Sequence, residues 1–269
     1  HIGTLNNSGT ITAHDRAINF QQGFNARIDT LINSGTIEGG INGGSTFASA
    51  IVLGVANSIG TIVNTGTIDH SVCSGGTCYA AIENQSGSIG TITNLGNLTS
   101  GNTADSGYGI INSGFGRIDT LNNAQTNLKY YGNLPTNYNV FINSPASYGK
   151  LAVTSAGTST TNFGIAAGST VGAGTTNYPG VLSGVAATNL AATNGTYGGG
   201  GLVQTNWQLK AVSSTSWDLA VTSQLPAANA GNNSGDKLAT AIQYAYSSNP
   251  QKIVPTSQLV PALAAEIAN

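Results

Sequence analysis

A ten-residue phrase that returns five times before position 130, a return interval near 30 residues, and three short apolar points per interval predict a three-sided parallel β-helix. The phrase reads IGTLNNSGTI from Ile2 to Ile11, IDTLINSGTI from Ile28 to Ile37, IGTIVNTGTI from Ile59 to Ile68 and IGTITNLGNL from Ile89 to Leu98. From Ile118 it decays into IDTLNNAQTN. The starts lie 26, 31, 30 and 29 residues apart, the period of a solenoid and not of a globular domain with one central core.

Within a rung, alternation puts Ile2 and Thr4 on one face and Gly3 and Leu5 on the other, so the first segment reads as a short strand. Asn7, Ser8 and Gly9 then supply a turn, and a second short strand follows around Ile11. A third apolar point comes later, at Ala17-Ile18, Ala50-Ile51, Ala81-Ile82 and Gly109-Ile110. Stacked coils would hydrogen-bond at about 4.8 Å per step and bury Ile, Leu and Val in one interior column. Asn7, Asn33, Asn64, Asn94 and Asn123 hold one place in the phrase, so stacking aligns them in a ladder of amides that holds a corner. Gly9, Gly35, Gly66 and Gly96, two positions on, are expected in a turn with positive φ. Gln125 stands there in the fifth rung and is expected to mark the end of the regular stack.

Of the 269 residues only 7% are charged, Gly numbers 37 and the net charge is -2, which gives no electrostatic case for nucleic acid. The polar remainder is mostly Asn, Ser, Thr and Gly, a surface that hydrogen-bonds without repelling copies of itself. No apolar run reaches the roughly 18 residues of a transmembrane helix. His14, Asp15, Glu38, Asp69 and His70 follow the second strands of their coils and read as solvated loop tips. Two His residues some two coils apart make no metal centre, and no cofactor is expected. Arg27 with Asp29 and Arg117 with Asp119 read as surface ion pairs. Cys73 and Cys78 flank SGGT, a loop able to close a small disulfide in an oxidising compartment.

After Asn123 the repeat is lost, and strands read as YNVFIN, YGKLAVT, TNFGIA, GVLSGV, NWQLKAV and SWDLAV between Gly, Ser, Thr and Asn clusters. Trp207 and Trp217 have the spacing of a hairpin with both rings on one face, suited to covering the last rung. Beyond a polar linker, Leu238, Ala241, Ile242, Ala245 and Tyr246 form a helical stripe, and a second short helix is expected from Ser257. The organisation expected is therefore repeats over 1–132, a β cap over 133–222, and a linker with helices over 223–269.

This order of parts resembles the passenger of a Gram-negative autotransporter, in the stretch just upstream of the outer-membrane barrel. The carrying features are the I-G-T-[LI]-x-N-[ST]-G-T-I rungs, YNVFINSPASYGKLAVT, the two W-x-L segments and the Leu238 to Tyr246 stripe. The stretch from Tyr138 to Thr154 is similar to vacuolating-cytotoxin-like members. The resemblance implies a right-handed β-helix exported through the periplasm by type V secretion, with residues 133–222 as an autochaperone and the tail leading to a barrel absent from this chain.

Two classes of function follow. One is a cell-surface adhesion or self-association module, whose partners are copies of itself on neighbouring cells or host and matrix glycans, acting through many weak bonds along a stiff rod. The other is a stalk for a toxin whose active part lies elsewhere. An enzyme ranks last, because residues 1–128 hold no Lys and three scattered Arg, with no paired catalytic carboxylates.

Overall fold

The structure, a computed structural model, describes residues 1–20, 25–41, 49–71, 79–101, 107–172, 174–198 and 204–224. The expected disulfide of Cys73 and Cys78 and both expected C-terminal helices lie outside these residues. The chain winds as a parallel β-solenoid. One sheet takes the first strand of each coil, Ile2–Asn7, Arg27–Asn33, Ser58–Asn64, Ser88–Asn94 and Arg117–Asn123, and continues through Asn137–Val140 and Asn162–Ile165. A second sheet takes Thr10–Thr12, Thr36–Gly39, Thr67–His70 and Asn97–Ser100. A third runs from Ile18–Phe20 through Ile51–Leu53, Ala80–Asn84, Tyr108–Asn112 and Leu128–Gly132 to Leu151–Thr154.

Like residues stack on like. Ile28, Ile59, Ile89 and Ile118 pair in register, as do Leu31, Ile62, Ile92 and Leu121, and all are buried. Ile37, Ile68 and Leu98 form the column of the second sheet, and Ile51, Ile82 and Ile110 that of the third. Each fully buried aliphatic side chain contributes about 1.5–3 kcal/mol, so no rung is stable alone and the stack is stable together.

The corner glycines do not serve the purpose expected of them. Gly9, Gly35, Gly66 and Gly96 are absent from the positive-φ residues. A Cβ on Gly35 would lie 2.0 Å from the carbonyl oxygen of Gly9, and one on Gly66 or Gly96 would lie 2.1 Å from that of the glycine one coil earlier. The turns nest so closely that no side chain fits between them.

Gln125 ends one sheet and leaves the other two running. Its Nε2 donates to the Leu98 carbonyl at 3.1 Å, and its Oε1 accepts from the Leu98 N–H at 2.8 Å and from Asn94 Nδ2 at 3.0 Å. The side-chain amide thus occupies the place of a further strand beside Asn97–Ser100, the last of the second sheet. From there the coils have two sheet faces, and parallel pairing crosses the expected 132/133 boundary as Leu121, Tyr138 and Phe163 stack.

The third sheet adds Gly174–Ser183 in parallel beside Leu151–Thr154 and then turns antiparallel through Ser216–Gln224, Gln204–Ala211 and Asn194–Tyr197. Trp207 and Trp217 are both buried. The Trp207 ring meets Phe163 edge-on at 5.2 Å and covers the last strand of the first sheet. Trp217 Nε1 donates to the Val185 carbonyl at 2.7 Å.

Candidate interaction surface

The outward side of the first sheet is a regular surface seven parallel strands long. Between inward Ile28 and Leu31 two residues, Asp29 and Thr30, both stand half-exposed, which sets a row of side chains near the middle of each strand. That row reads Thr4, Thr30, Thr61, Thr91, Thr120, Asn137 and Asn162, one residue per coil in register. The next row reads Asn6, Ile32, Val63, Thr93, Asn122, Asn139 and Gly164. Its polar end is tied internally, since Asn139 Nδ2 donates to Asn122 Oδ1 at 2.9 Å and Asn122 Nδ2 to Thr93 Oγ1 at 3.1 Å. Arg27 pairs with Asp29 and Arg117 with Asp119 at the strand starts, exposed pairs worth little to stability. Between them, Gly60 and Gly90 stand at the position of Asp29 and Asp119, so that row carries no charge in the two middle strands.

The five corner asparagines lie inside the coil, not on this face. Asn7 Nδ2 donates to Asn33 Oδ1 at 2.8 Å, Asn33 to Asn64 at 2.8 Å, Asn64 to Asn94 at 2.9 Å and Asn94 to Asn123 at 3.3 Å. Each also reaches backbone or Gln125; Asn64 Nδ2, for instance, donates to the Asn97 carbonyl at 3.1 Å. Asn123 closes the chain on the Gln125 and Lys150 carbonyls. From Asn33 to Asn123 each amide both gives and accepts within the ladder or its turns, so the ladder holds the corner.

The residues read as solvated loop tips divide. His14 is exposed, and Asp15 is half-buried. Glu38 and Asp69 are strand residues in register on the second sheet, where Ser71 Oγ donates to Glu38 and Thr99 Oγ1 to Asp69 at 2.7 Å. His70 is a correction: it is fully buried, because it pairs with Gly39, and Gly40 at φ 71° leaves the room its ring fills. Burial lowers its pKa below the usual 6.5, against the opposing pull of Asp69, Glu83 and Asp15. Among the described residues, no three His, Cys, Asp or Glu side chains converge as a metal site.

The Tyr108 and Tyr131 rings, half-exposed on the third sheet, meet at a tilt of 59° with centroids 5.4 Å apart, while Tyr130 faces the core and donates its hydroxyl to the Asn133 carbonyl. Burial pushes the Tyr130 hydroxyl well above its ordinary pKa, so it stays a donor.

Sequence reading passed over a second corner ladder. Asn84 Nδ2 donates to Asn112 Oδ1 at 3.0 Å, and Asn112 Nδ2 to the Asn133 carbonyl at 2.8 Å. Its signal was present in IEN and IIN, where Asn ends an apolar strand. The buried Glu83, held by Ser49 Oγ at 2.8 Å, carried no such signal.

Fold and surface together define a capped parallel β-solenoid with a broad, sparsely charged, hydroxyl- and amide-bearing face. Compared with known proteins, the chain matches no family model, no curated protein and no solved structure.

Proposed function

We propose that the chain is part of a bacterial autotransporter passenger, displayed at the cell surface or secreted, that acts as an adhesion or self-association module. The observation that carries this reading is the row of Thr and Asn running across the seven strands of the first sheet. A stiff rod that repeats one weak hydrogen-bonding group at each step binds by summation, and low charge removes the repulsion that would oppose two copies. The antiparallel cap over Phe163 supports a role for the C-terminal part in promoting folding of the β-helix during secretion.

The test is a settling assay in which the segment is displayed on a non-adherent bacterium and mixed with labelled cells that do or do not carry it. Settling only when both partners carry it is the expected result. A folded, displayed segment that produces no settling removes self-association and leaves the toxin-stalk reading, in which the rod spaces an active part held elsewhere.

A further inference from the structure

The middle of the first sheet's outward face is built from a narrower set of residues than its flanks. In the successive strands Arg27–Asn33, Ser58–Asn64 and Ser88–Asn94, the outward positions on either side of buried Leu31, Ile62 and Ile92 are Thr30 and Ile32, Thr61 and Val63, and Thr91 and Thr93. All six are half-exposed and all six are β-branched. Branching at Cβ restricts χ1, so the grid is stiff before anything binds and loses little side-chain entropy on contact. Beyond it the second row turns to Asn122 and Asn139.

Two features narrow the ligand. The hydroxyls of Thr30, Thr61 and Thr91 make no hydrogen bond among the described residues, whereas Thr93 Oγ1 accepts from Asn122 and Asn122 from Asn139. Three unused hydroxyls therefore stand in a row at the strand spacing of about 4.8 Å. The grid also lacks charge at its centre. Gly60 and Gly90 take the place of Asp29 and Asp119, and Ser58 and Ser88 that of Arg27 and Arg117.

A small dissolved ligand gains nothing from a repeated step, and a flexible polymer loses entropy when held straight along one. A crystal surface is already periodic and rigid, so each matched step adds to the last. The strand spacing lies within a few tenths of an ångström of the a-axis repeat of hexagonal ice. Counted from the middle strand, that mismatch stays inside the spread of ordinary hydrogen-bond lengths. A charged side chain at the centre would keep its own hydration shell and hold the face off the crystal.

We infer that this grid binds the surface of ice crystals, with the Thr30, Thr61 and Thr91 hydroxyls bonded to surface water and the branched methyl groups seated between those contacts. Ice takes the same face as the adhesion partner but requires no such partner, and the test uses the purified chain without cells.

The full chain is included in a slowly grown single crystal of ice, and the share taken up is read from the tryptophan fluorescence of the melted ice, with serum albumin as the excluded baseline. Two variants make the same charge change on the same coil. Thr61→Lys lies at the centre of the grid, and Thr67→Lys is half-exposed on the second sheet. Incorporation is expected for the unsubstituted chain and for Thr67→Lys, and a fall of about tenfold or more for Thr61→Lys. Thermal midpoints of both variants separate lost binding from lost fold, and Thr91→Lys takes the place of Thr61→Lys if that chain unfolds. Exclusion of the unsubstituted chain to the level of albumin overturns the inference, as does equal incorporation of the folded grid variant or an equal loss in Thr67→Lys.

Discussion

Replacing Asn64 with Leu tests whether the corner amides hold the stack. Asn64 is fully buried at the centre of the ladder, with one acceptor and two donor bonds between 2.8 and 3.1 Å. Leucine fits a similar volume and makes none of them. Asn33 Nδ2 keeps its bond to the Thr67 carbonyl at 3.0 Å, so that donor is not stranded. Asn94 Oδ1 is, while the Asn97 carbonyl keeps its place in the parallel ladder beside Thr67–His70. At about 1–3 kcal/mol for a buried group left unsatisfied, the loss is about 1–3 kcal/mol. In a chain of this size that lowers the thermal midpoint by about 2–10 °C. The measurement is far-ultraviolet circular dichroism during heating and during urea unfolding, with Asn6→Leu, one residue before the ladder and exposed, as the control. A midpoint within about 1 °C of the unsubstituted chain refutes the claim that buried amide pairing holds this corner.

Gly66→Ala sets a methyl 2.1 Å from the Gly35 carbonyl oxygen and is expected to cost about 1–3 kcal/mol or more, read as a lowered urea midpoint, whereas Gly9→Ala is not. Gln125→Ala uncovers the edge of Asn97–Ser100, so the Leu98 amide should exchange its hydrogen faster than the equivalent Ile68 amide, which another strand covers; equal protection contradicts the capping role. Trp207→Ala exposes Phe163 and is expected to cost about 3–5 kcal/mol, seen as early loss of near-ultraviolet signal from the cap. Because burial holds the His70 pKa below its unfolded value of 6.5, its stabilising effect is present above pH 6.5 and lost as pH falls through the folded pKa. The fall in urea midpoint between pH 7 and pH 5 should therefore be smaller in His70→Gln than in the unsubstituted chain.

Most of the solenoid was legible because its physics repeats. A residue that faces inward in one coil faces inward in all, so the columns of Ile and Leu and the line of Asn could be read from spacing alone. Reading faltered where coils shorten. Asn122 and Asn139 are adjacent in the stack yet 17 residues apart, against 31 between Asn33 and Asn64, so a search tuned to the longer interval loses the rungs while the sheet continues. Side chains that replace backbone left no periodic trace either. Gln125 reads as a broken repeat because its amide substitutes for a strand. His70 reads as a loop residue because the space it fills is made by Gly40, thirty positions away in the sequence and one coil away in space.

The outer surface was less legible for a related reason. Inward positions are fixed by packing, whereas outward ones vary without cost to the stack, as the change from Asn6 to Ile32, Val63 and Thr93 along one row shows. The ladder inside the corner supplies what that surface lacks, a direction. Each Asn hands its donor toward the capped end, where Asn123 finds two carbonyls, and its acceptor toward the coil before it. Asn7 and Asn33 Nδ2 also reach the Gly9 and Gly35 carbonyls of their own coils, at 3.4 and 3.3 Å, so each turn half-satisfies its amide before the next coil completes it and the ladder tightens a corner already formed locally.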